Sequence, residues 1–238
     1  MSTTRTGAVR AGRRPRTSAA EIAEAAMVLF AERGFDATSV DEIADAAGIA
    51  RRTFFRYFDS KNAVAWGDFD GHLAAMRTAL AALPADIELA EGLRRALLAF
   101  NTFPASEAAT HRLRMQLILT VPALQAHSML MHSDWRQVIA EYTAERLGLL
   151  PGDHVPRTVA WLLLGVATSA YEAWLDEDVP RPDPARLRAL LDAGMAVTAG
   201  GLSALVCPPA PLRSAETDRG EPAAPTDPPP TPGAYTAP

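Results

Sequence analysis

The chain has 238 residues, 48% of them hydrophobic and 21% charged, proportions that are ordinary for a globular protein and exclude a wholly disordered one. One cysteine, Cys207, and five scattered histidines exclude an intramolecular disulfide and a cysteine-rich zinc site, and neither a metal nor a cofactor is expected. The net charge of −5 conceals a split, because residues 1–61 carry +2 and the remainder −7, which suggests a polyanion-binding front end on an acidic body.

Residues 1–17 form a basic arm with Arg5, Arg10, Arg13, Arg14 and Arg16 and no acid. The arm has no apolar core, so no secretory signal is expected and the cytosol is the natural compartment. The next 190 or so residues show helical periodicity throughout, with no useful strand alternation and no internal repeat. A first helix is predicted from Ser18 to Arg33. Ser18 and Glu21 have capping-box spacing, Ile22, Ala26, Leu29 and Phe30 form one apolar stripe, and Gly34 terminates it. A second capping box, Ser39 and Glu42, opens a short helix bearing Val40, Ile43 and Ala47, which Gly48 closes. After the turn Gly48-Ile49-Ala50, a helix is predicted from Arg51 to Phe58 with Phe54 and Phe58 facing inward.

Two short helices across a tight glycine turn, roofed by a third, are the sequence pattern of a helix-turn-helix. An ordinary helical corner would share that pattern, but the polar face of the Arg51–Phe58 segment is distinctive. Its outward residues are Arg51, Arg52, Thr53, Phe55, Arg56 and Tyr57, with Lys61 just beyond, and no acid is mixed among them. Eight residues would make a rod about 12 Å long, which fits the DNA major groove.

The stretch from Ala19 to Lys61, including LFAERGF, TSVDEIA and the ending FFRYFDSK, resembles the DNA-binding domain of the TetR family of repressors. The continuation RRTFFRYFDSKNAVAWGDFD further resembles the TetR-type regulators of mycofactocin biosynthesis loci. The resemblance implies that Arg51, Arg52, Thr53, Phe55 and Arg56 meet bases or phosphates and that Tyr57 and Lys61 meet the backbone. The side-chain chemistry agrees in part: arginine forks read guanine, Phe55 suits thymine methyls, and Tyr57 and Lys61 have phosphate chemistry. Thr38 and Ser39, at the start of the second helix, suit a phosphate at its N-terminal amides. Arg13, Arg14 and Arg16 either enter the adjoining minor groove or add only nonspecific attraction. One departure stands out: the family usually has Ser or Thr where this chain has Ala50, which cannot cap the helix that follows.

The body is predicted as helices 62–82, 87–103, 106–120, 122–148, 155–178 and 184–205, separated by prolines. The helix from residue 62 follows the DNA unit directly and would act as a lever. The longest strongly apolar stretch, Val159 to Ala170, is about half of the roughly 20 residues a membrane crossing needs and reads as a buried segment, so no membrane is expected. Trp161, Leu162, Gly165, Thr168, Ser169 and Glu172 on one helix, and Leu187, Leu190, Leu191, Gly194, Met195 and Thr198 on the next, suggest a twofold four-helix interface between two copies. Burial within one chain would give the same pattern. The family resemblance favours the homodimer, and with it a palindromic operator in double-stranded DNA.

Phe69, Phe100, Phe103, Met115, Met131, Trp135, Tyr171 and Trp174 supply bulky apolar surface for a hydrophobic small-molecule effector, or simply for the core. Arg112, with Arg114 and Gln116, flanks this run and suits an anionic head group. The mycofactocin-type resemblance implies a long-chain acyl-CoA.

The expected architecture is therefore all-α: an N-terminal three-helix helix-turn-helix DNA-binding domain over 18–64, then a larger helical ligand-binding and dimerisation domain over 65–206. Residues 207–238, with ten prolines, are predicted to be a disordered tail. The competing reading is a helical acyl-CoA-binding protein or enzyme without operator binding. No G-x-S-x-G, H-E-x-x-H or glycine-rich phosphate loop supports catalysis, and Asp68 and Asp70 lie on different helical faces. An effector-independent activator or architectural protein is a third possibility.

Overall fold

The computed structural model describes residues 17–177 and 182–204, with side chains as far as residue 199. The arm carrying Arg14 and Arg16 and the proline-rich tail lie outside the described residues. Among the described residues the secondary structure is helical without strands. Its helices are α1 (Ala19–Arg33), α2 (Val40–Ala46), α3 (Arg51–Phe54), α4 (Lys61–Val64), α5 (Phe69–Ala81), α6 (Leu89–Phe100), α7 (Ala108–Thr120), α8 (Pro122–Leu147), α9 (His154–Asp176) and α10 (Pro184–Ala204), with a 3₁₀ turn at Ala105–Glu107.

Both capping boxes form. The Ser18 hydroxyl accepts from Glu21 N (3.2 Å) while the Glu21 carboxylate accepts from Ser18 N (2.8 Å), and Ser39 and Glu42 repeat the exchange at the same distances. Gly34 ends α1 at φ 83°, and Gly48 makes the helix-turn-helix corner at φ 65°, a region that L side chains rarely adopt. Ile22, Ala26, Met27 and Phe30 of α1 close over Ile43, Ala44, Phe54 and Phe58 to make a small separate core.

The Arg51–Phe58 helix is shorter than expected. Regular α-helix stops at Phe54, and residues 55–57 continue as turns through Arg56 N to Thr53 O (3.2 Å) and Tyr57 N to Phe54 O (2.9 Å). Ala50 at its N-cap makes no side-chain hydrogen bond, so the segment lacks the device that opens α1 and α2. Four residues rise only about 6 Å. The lever differs from expectation too. The expected 62–82 helix breaks, because Gly67 adopts φ 64° and Asp68 restarts α5 by accepting from Gly71 N (3.1 Å). A joint stands there instead.

The larger core lies between α5, α6, α8, α9 and α10, around Leu93, Leu97, Trp135, Ile139, Leu163, Trp174 and Leu187. The helix α7 belongs to both cores: Leu113 and Leu117 pack against the small one, Met115 and Leu119 against the large one. By length and composition α9 is long and apolar enough to cross a membrane, yet Val159, Leu163, Tyr171 and Trp174 are buried in the core. Its outward face exposes Trp161 and Leu162.

On α10, Leu187, Leu191 and Met195 were expected on a self-associating surface but are buried within the chain. A Cβ on Gly194 would come 2.8 Å from Val166 Cγ1, so this glycine serves the α9–α10 contact. The outward residues of α10 are instead Ala185, Arg186 and Arg188 in its first turns, then Ala189, Ala193, Ala196 and Val197.

Candidate nucleic-acid interface and internal cavity

The tip of the small core presents Arg51, Arg52, Phe55 and Arg56 to solvent, with Thr53 half-buried. Phe54 anchors this face from below, edge-on to Phe55 with ring centroids 5.4 Å apart. Arg51 donates to Asp41 of α2 at 2.6 Å and lies over the Phe55 ring, while Arg56 lies over Tyr57 at 5.1 Å. The arginines are thus held as a splayed set on aromatic supports. The acids beside them sit on α2, where Ser39 hydrogen bonds keep the Glu42 carboxyl below its usual range.

Four expected contact residues are committed elsewhere. Thr38 is buried, and its hydroxyl donates to Gly34 O at 2.9 Å. Ser39 is exposed, but its hydroxyl is engaged by Glu42. Lys61 turns inward and donates to Phe35 O and Thr38 O. The Tyr57 hydroxyl donates to Thr17 O at 2.6 Å. Long polar side chains that fold back onto carbonyls satisfy buried acceptors, and nothing in local spacing announces that choice.

Behind this unit, the body holds a partly open cavity of about 370 Å³. Of the expected ligand residues, Phe69, Phe100, Phe103, Met115, Trp135 and Tyr171 line it. Trp174 stands one layer back, fully buried with its ring 6.1 Å from Phe103. Met131 packs against the large core without lining the cavity. Arg112 is not there either. Its guanidinium donates to the carbonyls of Trp174, Leu175 and Glu177 and so caps the end of α9. The arginine in the cavity is Arg114, two positions on.

Trp66, His72, Asn101, His111 and His132, which no spacing or composition in the sequence marks as ligand residues, also line the cavity. They give it polar texture. The Tyr171 hydroxyl donates to Asn101 Oδ1 (2.9 Å), so it must accept from His111 Nε2 (2.8 Å), which places the imidazole proton on that nitrogen. Phe103 stacks on the His111 ring at 3.9 Å. Burial, followed by the charge of Arg114, pushes the His111 pKa down to about 3, and burial lowers that of His132 as well. Burial also raises the Tyr171 pKa. No cluster of His, Cys, Asp or Glu among the described residues can hold a metal ion.

Residues 17–65 match the family described as bacterial regulatory proteins, tetR family, and residues 87–203 match the MftR C-terminal domain. Over 196 residues the chain is 50% identical to the Mycobacterium tuberculosis protein described as "Putative mycofactocin biosynthesis transcriptional regulator MftR", spanning 82% of this chain and 96% of that one. The chain belongs to the TetR family of transcriptional regulators. Among solved structures, this TetR-family regulator is similar to Thermus thermophilus FadR, a TetR-family repressor in complex with lauroyl-CoA. That pair shares 26% identity at a TM-score of 0.53, over 77% of this chain and 94% of that one. Bacillus subtilis FadR in complex with stearoyl-CoA shares the fold at 16% identity and a TM-score of 0.54, over 76% and 97% of the two chains.

Proposed function

We propose that this regulator is a homodimeric repressor that leaves its operator when a hydrophobic effector enters the cavity, and that it regulates without catalysing. The observation that carries the reading is the double membership of α7. One of its faces packs on the core that positions Arg51, Arg52 and Arg56, and the other packs on the core that walls the cavity. A ligand that spreads α7 from α5 and α6 shifts both at once, and the Gly67 joint lets the reading unit tilt. Packed cores respond to such insertion by discrete rearrangement.

An acyl-CoA is the effector class the reading favours. The FadR structure with lauroyl-CoA supports it, as do the aromatic and methionine walls of the cavity. Identity of 50% to the mycofactocin regulator supports a mycofactocin-type locus as the regulated target.

Two copies would pair through the outward face of α9 and α10. Trp161, with 51% of its surface exposed, and Val197, with 86%, leave apolar surface there, the Trp161 ring being covered in part by the Arg136 guanidinium 3.5 Å away. Twofold pairing implies a palindromic operator. The domain limits follow as 18–64 for reading and 65–206 for sensing and pairing.

The test is operator binding with and without dodecanoyl-CoA, together with the solution mass of wild type and of Leu162→Glu/Val197→Glu. A dimer that binds its own promoter and is released by the ligand supports the reading. A monomer indifferent between its promoter and scrambled DNA ends it.

A further inference from the structure

An alkyl chain alone is a poor match for this cavity. Of the charged side chains that line it, Arg114 is the cation and Glu107 the acid, and the two do not form a salt bridge. Arg114 Nε is buried without a hydrogen-bond partner, and burial pulls the guanidinium pKa down. Arg112, by contrast, has its guanidinium engaged by three carbonyls. A second buried donor, Trp66 Nε1, also lacks a partner.

These two donors flank the joint. A Cβ placed on Gly67 would lie 3.8 Å from Arg114 Nη1 and 3.9 Å from the Ala23 Cβ of α1. Trp66 precedes Gly67 and packs edge-on against Phe69 and His132 of the cavity wall. Arg114 Nη1 and the neighbouring Trp66 therefore stand at the Gly67 joint, the part of the cavity wall that also faces Ala23 of α1. Filling that part with methylenes would leave a buried guanidinium unpaired, which is costly.

We infer that Arg114 is an anion anchor: the cavity takes a ligand with an apolar tail and an anionic oxygen group, and holds that group at Arg114 beside the Gly67 joint. This rests on the reading of the cavity as the effector site, and it adds the direction in which the ligand lies. The charged end lies against the joint that must move, and the tail fills the apolar remainder of the cavity, among residues such as Met76, Phe100 and Trp135. A free carboxylate and the phosphate-bearing head of a CoA thioester share the required chemistry.

The experiment compares dodecanoate, dodecanoyl-CoA and neutral dodecanol as ligands of the full chain by calorimetry and by release of operator DNA. It uses wild type, Arg114→Gln and Arg114→Lys, each checked for unchanged operator binding without ligand. At least one anionic ligand is expected to bind wild type about tenfold or more tighter than dodecanol. Arg114→Gln should remove that margin while leaving dodecanol within about twofold, and Arg114→Lys should restore part of it. Binding by dodecanoate but not the thioester removes the acyl-CoA reading and leaves the anchor standing. Equal losses for dodecanol and the anions in Arg114→Gln, or no preference for an anion in wild type, overturn the anchor and leave the effector site intact. Binding of none of the three overturns both.

Discussion

Lys61 lies over Phe35: its ammonium nitrogen is 4.2 Å from the ring centroid and 2.7 Å from the carbonyl oxygen of the same residue. A second bond, to Thr38 O at 2.9 Å, makes the side chain a clamp across the turn between α1 and α2. The clamp predicts an outcome that a phosphate contact would not give. Lys61→Met should lower the stability of the reading unit by about 2 kcal/mol, through a lost charge-assisted bond and a lost cation–π contact. Operator affinity should fall with it, but the slope of log affinity against log salt should stay that of wild type. If the slope becomes shallower by nearly one unit, Lys61 touches a phosphate after all.

Arg51 reaches the operator only by leaving Asp41, its partner at 2.6 Å, and both side chains are well over half exposed. An exposed pair of this kind contributes little to folding, roughly 0–1 kcal/mol, so Asp41→Asn should barely change thermal stability. It should nevertheless tighten DNA binding, because it frees the guanidinium and removes a negative charge beside the phosphates. Arg51→Ala should cost about 1–3 kcal/mol on the operator and far less on scrambled duplex. Titrations of both variants on both duplexes check this, and equal losses on the two duplexes would remove Arg51 from base reading.

How much of this was legible in advance depended on the range of the interaction. Ser18 with Glu21 and Ser39 with Glu42 are three residues apart, and both boxes form as their spacing implies. The inward Phe54 and Phe58 follow from a four-residue step. The misplaced residues all depend on distant partners. Lys61 finds carbonyls 26 and 23 positions away, and Arg112 finds carbonyls more than 60 positions away. Nothing near either residue encodes those choices. The apolar stripe of α10 was visible as a stripe, but Leu187, Leu191 and Met195 meet their own chain, and periodicity does not say which partner a stripe will find. Gly67 was readable only as a glycine inside a helical pattern. Its positive φ and the cap at Asp68 turn an expected lever into a joint.

The missing cap on α3 suggests a stabilising substitution. Ala50 has the extended N-cap conformation, φ −76° and ψ 147°, and lacks only the side-chain oxygen. Ala50→Ser should raise the unfolding free energy of the reading unit by about 0.5–1 kcal/mol and slow amide exchange at Arg52 and Thr53, the two amides from which a cap oxygen can accept. Thermal unfolding and hydrogen exchange measure it. If α3 is ordered chiefly by DNA, the substitution should also tighten operator binding. Unchanged exchange at these amides would mean that the first turn of α3 is already satisfied without a cap.

His111 carries the clearest pH dependence. Its ring is stacked on Phe103, bonded to Tyr171, and held neutral down to about pH 3 by burial. In the unfolded chain the same imidazole binds a proton near pH 6.5. Between these values the unfolded state holds more protons than the folded one, so stability is complete above about 6.5 and is lost as the pH falls toward 3. The loss attributable to this group is at most roughly 5 kcal/mol. His111→Gln keeps a donor for Tyr171 and cannot titrate. At pH 7.5 it should be slightly less stable than wild type, by about 1 kcal/mol for the lost stacking. Denaturant unfolding at steps down to pH 4.5 should then show the gap close and reverse. Two parallel curves would mean that the imidazole reaches water, and its proton, without unfolding the wall between α7 and α9.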